Sequence, residues 1–165
     1  MAWTDDALAG LRAAEVDLIA HLPDSVVGPL VELAAEQGVE TVLVAREEAA
    51  VGVLSGAWLG GRRGALVCQT SGLATTFNAL GSLSKPWGLP FVGVVDRRGG
   101  LGEFNLAQVP AGYNMDALLD AVGIRNGTLR DGDDVADRVA MAAETAFATQ
   151  EPYVLLAEPT LTGGK

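Results

Sequence analysis

Apolar runs alternate with amphipathic stretches along most of the chain. Five short apolar runs are typical of buried β-strands, and they cover residues 16–20, 39–44, 65–68, 91–95 and 153–157. A weaker sixth run lies near Ile124. Thr4, Asp5 and Asp6 predict a helix start ahead of Leu8. Elsewhere apolar residues recur at helical spacing, in the sets Val26, Leu30, Leu33 and Ala34, and Val135, Val139, Ala142 and Phe147.

A strand followed by a helix, repeated about six times, is the pattern of an α/β fold. It predicts a doubly wound, mostly parallel six-stranded sheet with helices on both faces. In such sheets, ligands bind beyond the carboxyl ends of the strands. Four segments leave those ends, at residues 21–25, 45–48, 69–73 and 96–112. The last has about 17 residues, against roughly 2 to 6 in most βα loops, and long loops are often functional.

Composition and charge narrow the class of protein. The 165 residues, 49% of them hydrophobic, fit a single domain (1–165) with its own core. A net charge of −10 argues against nucleic acid and against an anionic membrane surface as partners. No run approaches the roughly 20 apolar residues of a membrane span. The first residues show neither a basic leader nor an apolar signal core, so we expect a cytoplasmic protein.

Metal-binding patterns are weak. A single cysteine, Cys68, and a single histidine, His21, exclude a cysteine cluster and a histidine-rich zinc site within the chain. Cys68 lies in an apolar run, which predicts a small buried core residue. Residues 131–134 read Asp-Gly-Asp-Asp but lack the later ligands of a calcium loop, so helix capping is the favoured interpretation.

Three of the strand ends carry residues suited to chemistry. Glu47 and Glu48 open a helix, where carboxylates also simply complement the helix dipole, whereas Arg46 opposes it. The polar turn 69–76 contains Gly72, which permits a close approach of backbone N–H groups to a ligand. Arg97-Arg98 in the long loop suits an anion clamp or a solvated surface. The chain has neither a Walker loop nor a dinucleotide fingerprint.

Together these segments resemble the pyrimidine-binding domain of thiamine diphosphate enzymes, and most closely the sulfopyruvate decarboxylase α subunits and phosphonopyruvate decarboxylases. In that family a glutamate precedes a helical glycine by nine positions, and Gly56 lies nine positions after Glu47. The family's common Leu-Gly-Asn reads Leu73-Ala74-Thr75 here. The other matching motifs are Pro23-Asp24-Ser25, Gln69 to Leu73 with Asn78, and Arg98-Gly99 with Glu103 and Gln108-Val109-Pro110.

The resemblance implies roles for individual residues. The catalytic residues are Glu47, as a proton relay to the aminopyrimidine ring, and Asp24, as a second proton-handling acid. The implied reaction is decarboxylation of an anionic 2-oxo acid, such as sulfopyruvate or phosphonopyruvate, to an aldehyde and CO2. The cofactor-binding residues are Glu47, Ser71, Gly72, Leu73 and Asn78, and the substrate-binding residues are Ser25, Thr75, Arg98 and Gln108.

The resemblance also implies a partner subunit. The family binds magnesium and diphosphate through Gly-Asp-Gly followed by a later Asn, and this chain contains no such motif. A β subunit carrying that motif is therefore expected to bind Mg2+ and to share the thiamine diphosphate, and this chain is expected to supply no metal ligand and no diphosphate-binding (PP) domain. An α2β2 or higher oligomer follows from the preference for two-fold symmetry.

Three other functions remain open at this stage. A carboligase subunit like those of the acetolactate synthases keeps the fold and the cofactor but gives a ketol product. A regulatory or stabilising subunit needs no catalytic group, and the carboxylate at Glu47 counts against it. An unrelated nucleotide- or flavin-binding α/β module is the fourth reading, and it lacks a phosphate loop.

Overall fold

The computed structural model describes residues 2–163 and confirms the predicted α/β fold. Six strands form one sheet in the order β2-β1-β3-β4-β6-β5, and every neighbouring pair is parallel. The strands are β1 Val16–His21, β2 Glu40–Leu43, β3 Arg63–Gln69, β4 Val92–Asp96, β5 Arg125–Leu129 and β6 Tyr153–Ala157. Because β1 lies between β2 and β3, the strand order reverses there, and such a switch point is where α/β sheets bind ligands.

Helices connect the strands. They are α1 Trp3–Ala13, α2 Gly28–Glu36, α3 Glu47–Leu59, α4 Thr70–Leu73, α5 Phe77–Ala79, α6 Val109–Tyr113, α7 Met115–Val122, α8 Val135–Thr149 and α9 Pro159–Thr162. A 3-10 turn at Ala74–Thr76 joins α4 to α5, and a π-helical turn at Leu80–Ser84 follows α5, so residues 70–84 form one helical segment. Among residues 2–163, no helix is long and apolar enough to cross a membrane.

The helices cover both faces of the sheet. Side chains of successive strand residues point to opposite faces, so in β3 Val67 packs with α1, α2 and α8, and Leu66 packs with α3, the 70–84 segment and α7. Each face has its own hydrophobic core, and both Val67 and Leu66 are fully buried. This double covering is why the central strands read as continuous apolar runs.

The sequence predictions of elements agree with the structure in most places. The weak run near Ile124 precedes β5, and Val135, Val139, Ala142 and Phe147 all face the core. Asp134 caps α8, because its Oδ1 accepts a hydrogen bond from Asp137 N at 3.1 Å. The loop predicted over 96–112 is shorter, since β4 includes Asp96 and α6 begins at Val109.

Candidate active site

Glu47 is the first residue of α3 and lies at the carboxyl edge of the sheet, after β2. Arg46 is the N-cap residue with an extended backbone (φ −150°, ψ 146°), so the chain turns from loop to helix at this point. The half-buried Glu47 side chain lies against Gly72, with its carboxyl group in the space that a β-carbon on Gly72 would fill. This contact joins the segments that leave β2 and β3.

The two carboxylates at the start of α3 have different surroundings. Arg46 Nε lies 3.2 Å from Glu48 Oε2, and these side chains are 73% and 44% exposed. Among residues 2–163, by contrast, no hydrogen bond or ion pair engages the Glu47 carboxyl oxygens. Glu47 therefore keeps both oxygens available to a ligand at this edge, whereas Glu48 is committed to an exposed ion pair.

Hydroxyl groups fix the segment that carries Gly72. Thr70 is fully buried, and its Oγ1 accepts a hydrogen bond from Arg98 N at 3.1 Å. Thr75 Oγ1 donates to the Gly72 carbonyl oxygen at 2.8 Å, and Thr76 Oγ1 donates to the Leu73 carbonyl oxygen at 2.7 Å. These bonds satisfy backbone carbonyls within the irregular helical turns, and they hold Gly72 in place beneath Glu47.

Asp24 follows β1 and organises the turn before α2. Its Oδ1 accepts hydrogen bonds from Val26 N at 2.7 Å and from Val27 N at 2.9 Å. With His21 and Ser25 it lines a cavity of about 550 Å³ at the carboxyl ends of β1 and β2. Burial lowers the pKa of His21, against the opposing effect of a backbone hydrogen bond at Leu22. This shift favours the neutral form of the imidazole.

The buried Cys68 thiol is within electrostatic range of both predicted catalytic acids. Burial, then the negative charge of Glu47, then that of Asp24 raise the pKa of the Cys68 thiol far above its ordinary value. Its side chain is 1% exposed, which confirms the predicted core position. Because one buried thiol senses both carboxylates, the structure brings Glu47 and Asp24 to the same edge of the sheet.

Arg98 forms a bidentate ion pair inside the long loop. Its Nε and Nη2 donate to Glu103 Oε2 and Oε1 at 2.8 and 2.9 Å. The Glu103 carboxylate also accepts hydrogen bonds from Gly99 N and Asn105 N, and its side chain is 6% exposed. Chiefly through the Arg98 hydrogen bonds, the pKa of Glu103 falls to about 2, and pairing with Glu103 raises that of Arg98. Arg98 is also within the field of Asp24.

Two glycines let the long loop fold back on itself. Gly99 has φ +79°, and a β-carbon there would collide with backbone atoms of Gln108, Val109 and Tyr113. A β-carbon on Gly112 would collide with the Arg98 carbonyl group. The backbone at the start of the loop therefore lies in direct contact with the backbone at its end, which only residues without a side chain allow.

Arg97 is also paired within the chain. Its Nη1 and Nη2 donate to Asp116 Oδ1 and Oδ2 at 3.2 and 2.8 Å, and its Nη1 lies 3.8 Å from Glu158 Oε1. Arg97, Arg98 and Val26 line a pocket of about 170 Å³ beside this loop. Both predicted anion-binding arginines thus have carboxylate partners, and the substrate-binding role of Arg98 stays a prediction.

The remaining predicted site residues differ in exposure. Leu73 is fully buried in the core, so only its backbone can face a cofactor. Gln108 has a buried Oε1 that lacks a partner among the described residues. Ser71 is half-buried beside Gly72, and Ser25, Thr75 and Asn78 are exposed.

Sequence reasoning did not assign site roles to three residues that shape this edge. Glu103 forms the ion pair with Arg98, and Thr70 Oγ1 accepts the hydrogen bond from Arg98 N. Gln69 is the last residue of β3, and its buried Oε1 lacks a hydrogen bond within the described chain. Glu103 and Gln69 are matched positions of the family motifs and Thr70 lies between two of them, so the motifs carried the available signal. Within residues 2–163, no group of three or more His, Cys, Asp or Glu side chains is placed to hold a metal ion.

Comparisons with known proteins give consistent relatives. No protein-family model matches the chain. The chain is 35% identical over 121 residues to the sulfopyruvate decarboxylase subunit alpha of Methanococcus maripaludis, covering 73% of this chain and 72% of that one. It is 32% identical over 154 residues to the phosphonopyruvate decarboxylase of Streptomyces viridochromogenes, covering 92% of this chain and 39% of that protein.

A solved structure shares the fold. The 2-oxoglutarate:ferredoxin oxidoreductase of Magnetococcus marinus superposes with a TM-score of 0.76, at 17% identity, over 98% of this chain and 29% of that chain. At this identity the likeness supports the architecture alone.

Proposed function

The chain belongs to the family of the sulfopyruvate decarboxylase α subunits, and from that premise we propose that it is the pyrimidine-binding subunit of a heteromeric, thiamine diphosphate-dependent 2-oxo acid decarboxylase. The proposed substrate is an anionic 2-oxo acid such as sulfopyruvate or phosphonopyruvate, and the products are the aldehyde and CO2. The names of the relatives support both the reaction and the existence of a partner subunit.

The observation that carries the proposal is the state of Glu47. Its carboxyl group lies over Gly72 at the carboxyl edge of the sheet, and no group among residues 2–163 engages its oxygens. A carboxyl group used only to complement the helix dipole has no need of a glycine beneath it. A carboxyl group that hydrogen-bonds a flat heteroaromatic ring needs a fixed position and free oxygens, and Glu47 has both.

The residues present fit the pyrimidine end of thiamine diphosphate. Glu47 offers a carboxyl group, Ser71 and Gly72 offer backbone beside it, and Gln69 has a buried acceptor without a partner within the described chain. When bound, the cofactor supplies the nucleophilic carbon and the electron sink on which a 2-oxo acid loses CO2. Glu47 holds and passes the proton at the pyrimidine ring nitrogen. Leu73 and Asn78 complete the proposed cofactor contacts.

Asp24 is proposed as the second proton-handling group. Because its Oδ1 accepts two backbone N–H groups, the carboxylate has a fixed direction. Asp24 opens onto the cavity that His21 and Ser25 also line, and this cavity would admit a small 2-oxo acid. Ser25, Thr75, Arg98 and Gln108 are proposed substrate contacts, with Arg98 acting through the guanidinium edge that does not face Glu103.

The diphosphate end is assigned to another chain. We propose a β subunit with a PP domain, carrying Gly-Asp-Gly and a later Asn, that binds the Mg2+ and closes the site as an α2β2 or larger assembly. In this proposal the described α/β unit is a single pyrimidine-binding domain, and it has no activity alone.

Product analysis tests the proposed function. This chain and its β subunit are mixed with thiamine diphosphate and Mg2+, and sulfopyruvate or phosphonopyruvate is added. Equal amounts of CO2 and the corresponding aldehyde are expected, and neither chain alone gives them. A ketol product assigns the chain to the carboligases instead, and a complex that turns over none of these acids contradicts the proposal.

A further inference from the structure

The segment from Leu101 to Tyr113, here called the apolar loop, has a surface unlike the rest of the chain. Eight of its 13 residues are exposed, and none of these eight is charged. Leu101, Phe104, Leu106 and Tyr113 are 104%, 75%, 84% and 69% exposed. A chain with 11 basic and 21 acidic residues thus presents four large apolar side chains on one uncharged segment. Exposed apolar patches of this kind mark interaction sites.

The one charged residue of the segment faces inward. Among residues 99–115 only Glu103 is ionised at neutral pH. Its carboxylate accepts hydrogen bonds from Arg98 and from two backbone N–H groups. The pair has no net charge, so the exposed face of the loop is uncharged, with Asn105 between the large apolar side chains. Burying this face costs no desolvation of an unpaired charge.

The apolar loop is already ordered in the absence of a binding partner. The Arg98–Glu103 pair fixes the turn that leads into it, and the close backbone contacts at Gly99 and Gly112 hold the residues before the loop against its end. A loop that is already ordered loses less conformational entropy on binding than a flexible one. Its exposed apolar side chains are therefore carried by an ordered backbone rather than by a flexible one.

The backbone that leads into the apolar loop is hydrogen-bonded to the proposed cofactor edge. Arg98 N donates to Thr70 Oγ1, and Thr70 precedes by two residues the Gly72 that supports Glu47. The loop is thus continuous with the edge where the pyrimidine end of the cofactor is proposed to bind. Under the proposed function, the chain that closes on that edge is the β subunit, which supplies the diphosphate motif.

We propose that the apolar loop is the docking surface for the β subunit that completes the site, with Phe104 and Leu106 as its central anchors and the Arg98–Glu103 pair as the brace that presents them. The proposal rests on the proposed function for the identity of its occupant. A second copy of this chain fits less well, since it supplies no diphosphate motif and carries the same net charge of −10.

The test measures association separately from turnover. The variant Phe104→Ser with Leu106→Ser is compared with Trp87→Ser, which removes an equally exposed side chain (73%) from the turn before β4, at the opposite edge of the sheet. Affinity for the β subunit is measured calorimetrically with thiamine diphosphate and Mg2+ present and no 2-oxo acid. All three removed side chains are exposed, so thermal unfolding of the isolated chain is expected to stay unchanged.

The expected result is that the double variant binds the β subunit about tenfold more weakly or worse, since central aromatic and aliphatic anchors dominate such interfaces, while Trp87→Ser binds normally. Glu103→Gln, which removes the brace but leaves the apolar side chains, is expected to weaken association as well. Unchanged affinity of the double variant, or no association of the unaltered chain, overturns the proposal.

Two outcomes separate this proposal from the proposed function. If the complex decarboxylates sulfopyruvate or phosphonopyruvate but the double variant binds the β subunit with unchanged affinity, the docking surface is wrong and the proposed function stands. A complex that the double variant disrupts, but that decarboxylates neither acid, supports the docking surface and removes the function. If sedimentation shows this chain self-associating through Phe104 and Leu106 without effect on the β subunit, the occupant is wrong.

Discussion

The Glu47 carboxyl group occupies the space beside the Gly72 α-carbon, so that a β-carbon on residue 72 would overlap Glu47 Oε1 and Cδ. One residue opens α3 and the other lies in α4, after different strands. Their contact sets where the carboxyl group stands relative to any ligand at this edge. The position of Glu47 is thus defined by the absence of a side chain on its neighbour.

Gly72→Ala tests this contact. The added methyl group is expected to push the Glu47 carboxyl group out of place. The expected loss in kcat of the reconstituted complex is about 100-fold, the size of loss that a displacement of roughly 1 Å can cause. The control is Gly52→Ala on α3, where a β-carbon meets nothing within 4 Å. Alanine there stabilises the isolated chain by about 0.5–1 kcal/mol. A fully active Gly72→Ala complex contradicts the assignment.

Asp24→Asn separates charge from structure. An asparagine retains an Oδ1 that accepts the Val26 and Val27 N–H groups, so the turn and the melting temperature are expected to persist. Loss of the acid is expected to lower kcat by about 10²-fold or more, within the range for general acid–base groups. Asp24→Ala also removes the acceptor and is expected to destabilise the chain. Equal kcat for Asp24→Asn and the unaltered chain excludes proton handling by Asp24.

The Glu103 carboxylate makes stability depend on pH in acid. Its pKa in the folded chain is about 2, below the ordinary value of 4.5, so its contribution is fully present above pH 4.5 and is lost as the pH falls towards 2. Glu103→Gln is expected to lower the free energy of unfolding at pH 7 by about 2 kcal/mol. Urea unfolding at pH 7 and pH 3 measures both proteins. The difference between them should shrink at pH 3, and a constant difference contradicts the pairing.

Cys68 is expected to be unreactive in the folded chain. Burial and the nearby carboxylates raise the pKa of its thiol, so little thiolate forms even in mildly alkaline solution. A thiol reagent at pH 8 should leave the native protein unlabelled and label it fully in urea. Rapid labelling of the native protein shows that β3 opens at its carboxyl end.

The fold could be predicted from the sequence because the central strands are buried on both faces. In β4 every residue is buried, and its apolar run is unmistakable. The edge strand β5 has a single fully buried residue, Leu129, so its pattern is weak. The mixed turns of residues 70–84 have no sequence signature, because each hydroxyl that stabilises them bonds the backbone locally.

The candidate site was only partly readable in the sequence. The resemblance to the family motifs predicts roles for Glu47 and Asp24, and the polar turn after β3 predicts a role for Gly72. The pairing of Arg98 with Glu103 could not be anticipated, because it depends on a loop reversal at Gly99 and Gly112 that no periodic pattern encodes. Arg98 therefore looked available to a substrate, whereas the folded loop supplies it with a carboxylate.

The central claim is that Glu47 is the catalytic carboxylate. The most direct measurement is the decarboxylation rate of the reconstituted complex with Glu47→Gln beside the same complex with Glu48→Gln. The two residues are adjacent, but Glu48 forms an exposed pair with Arg46, so its replacement is expected to leave kcat unchanged. Glu47→Gln is expected to lower kcat by about 10²- to 10⁴-fold. Normal turnover by Glu47→Gln, or an equal loss in both variants, contradicts the account.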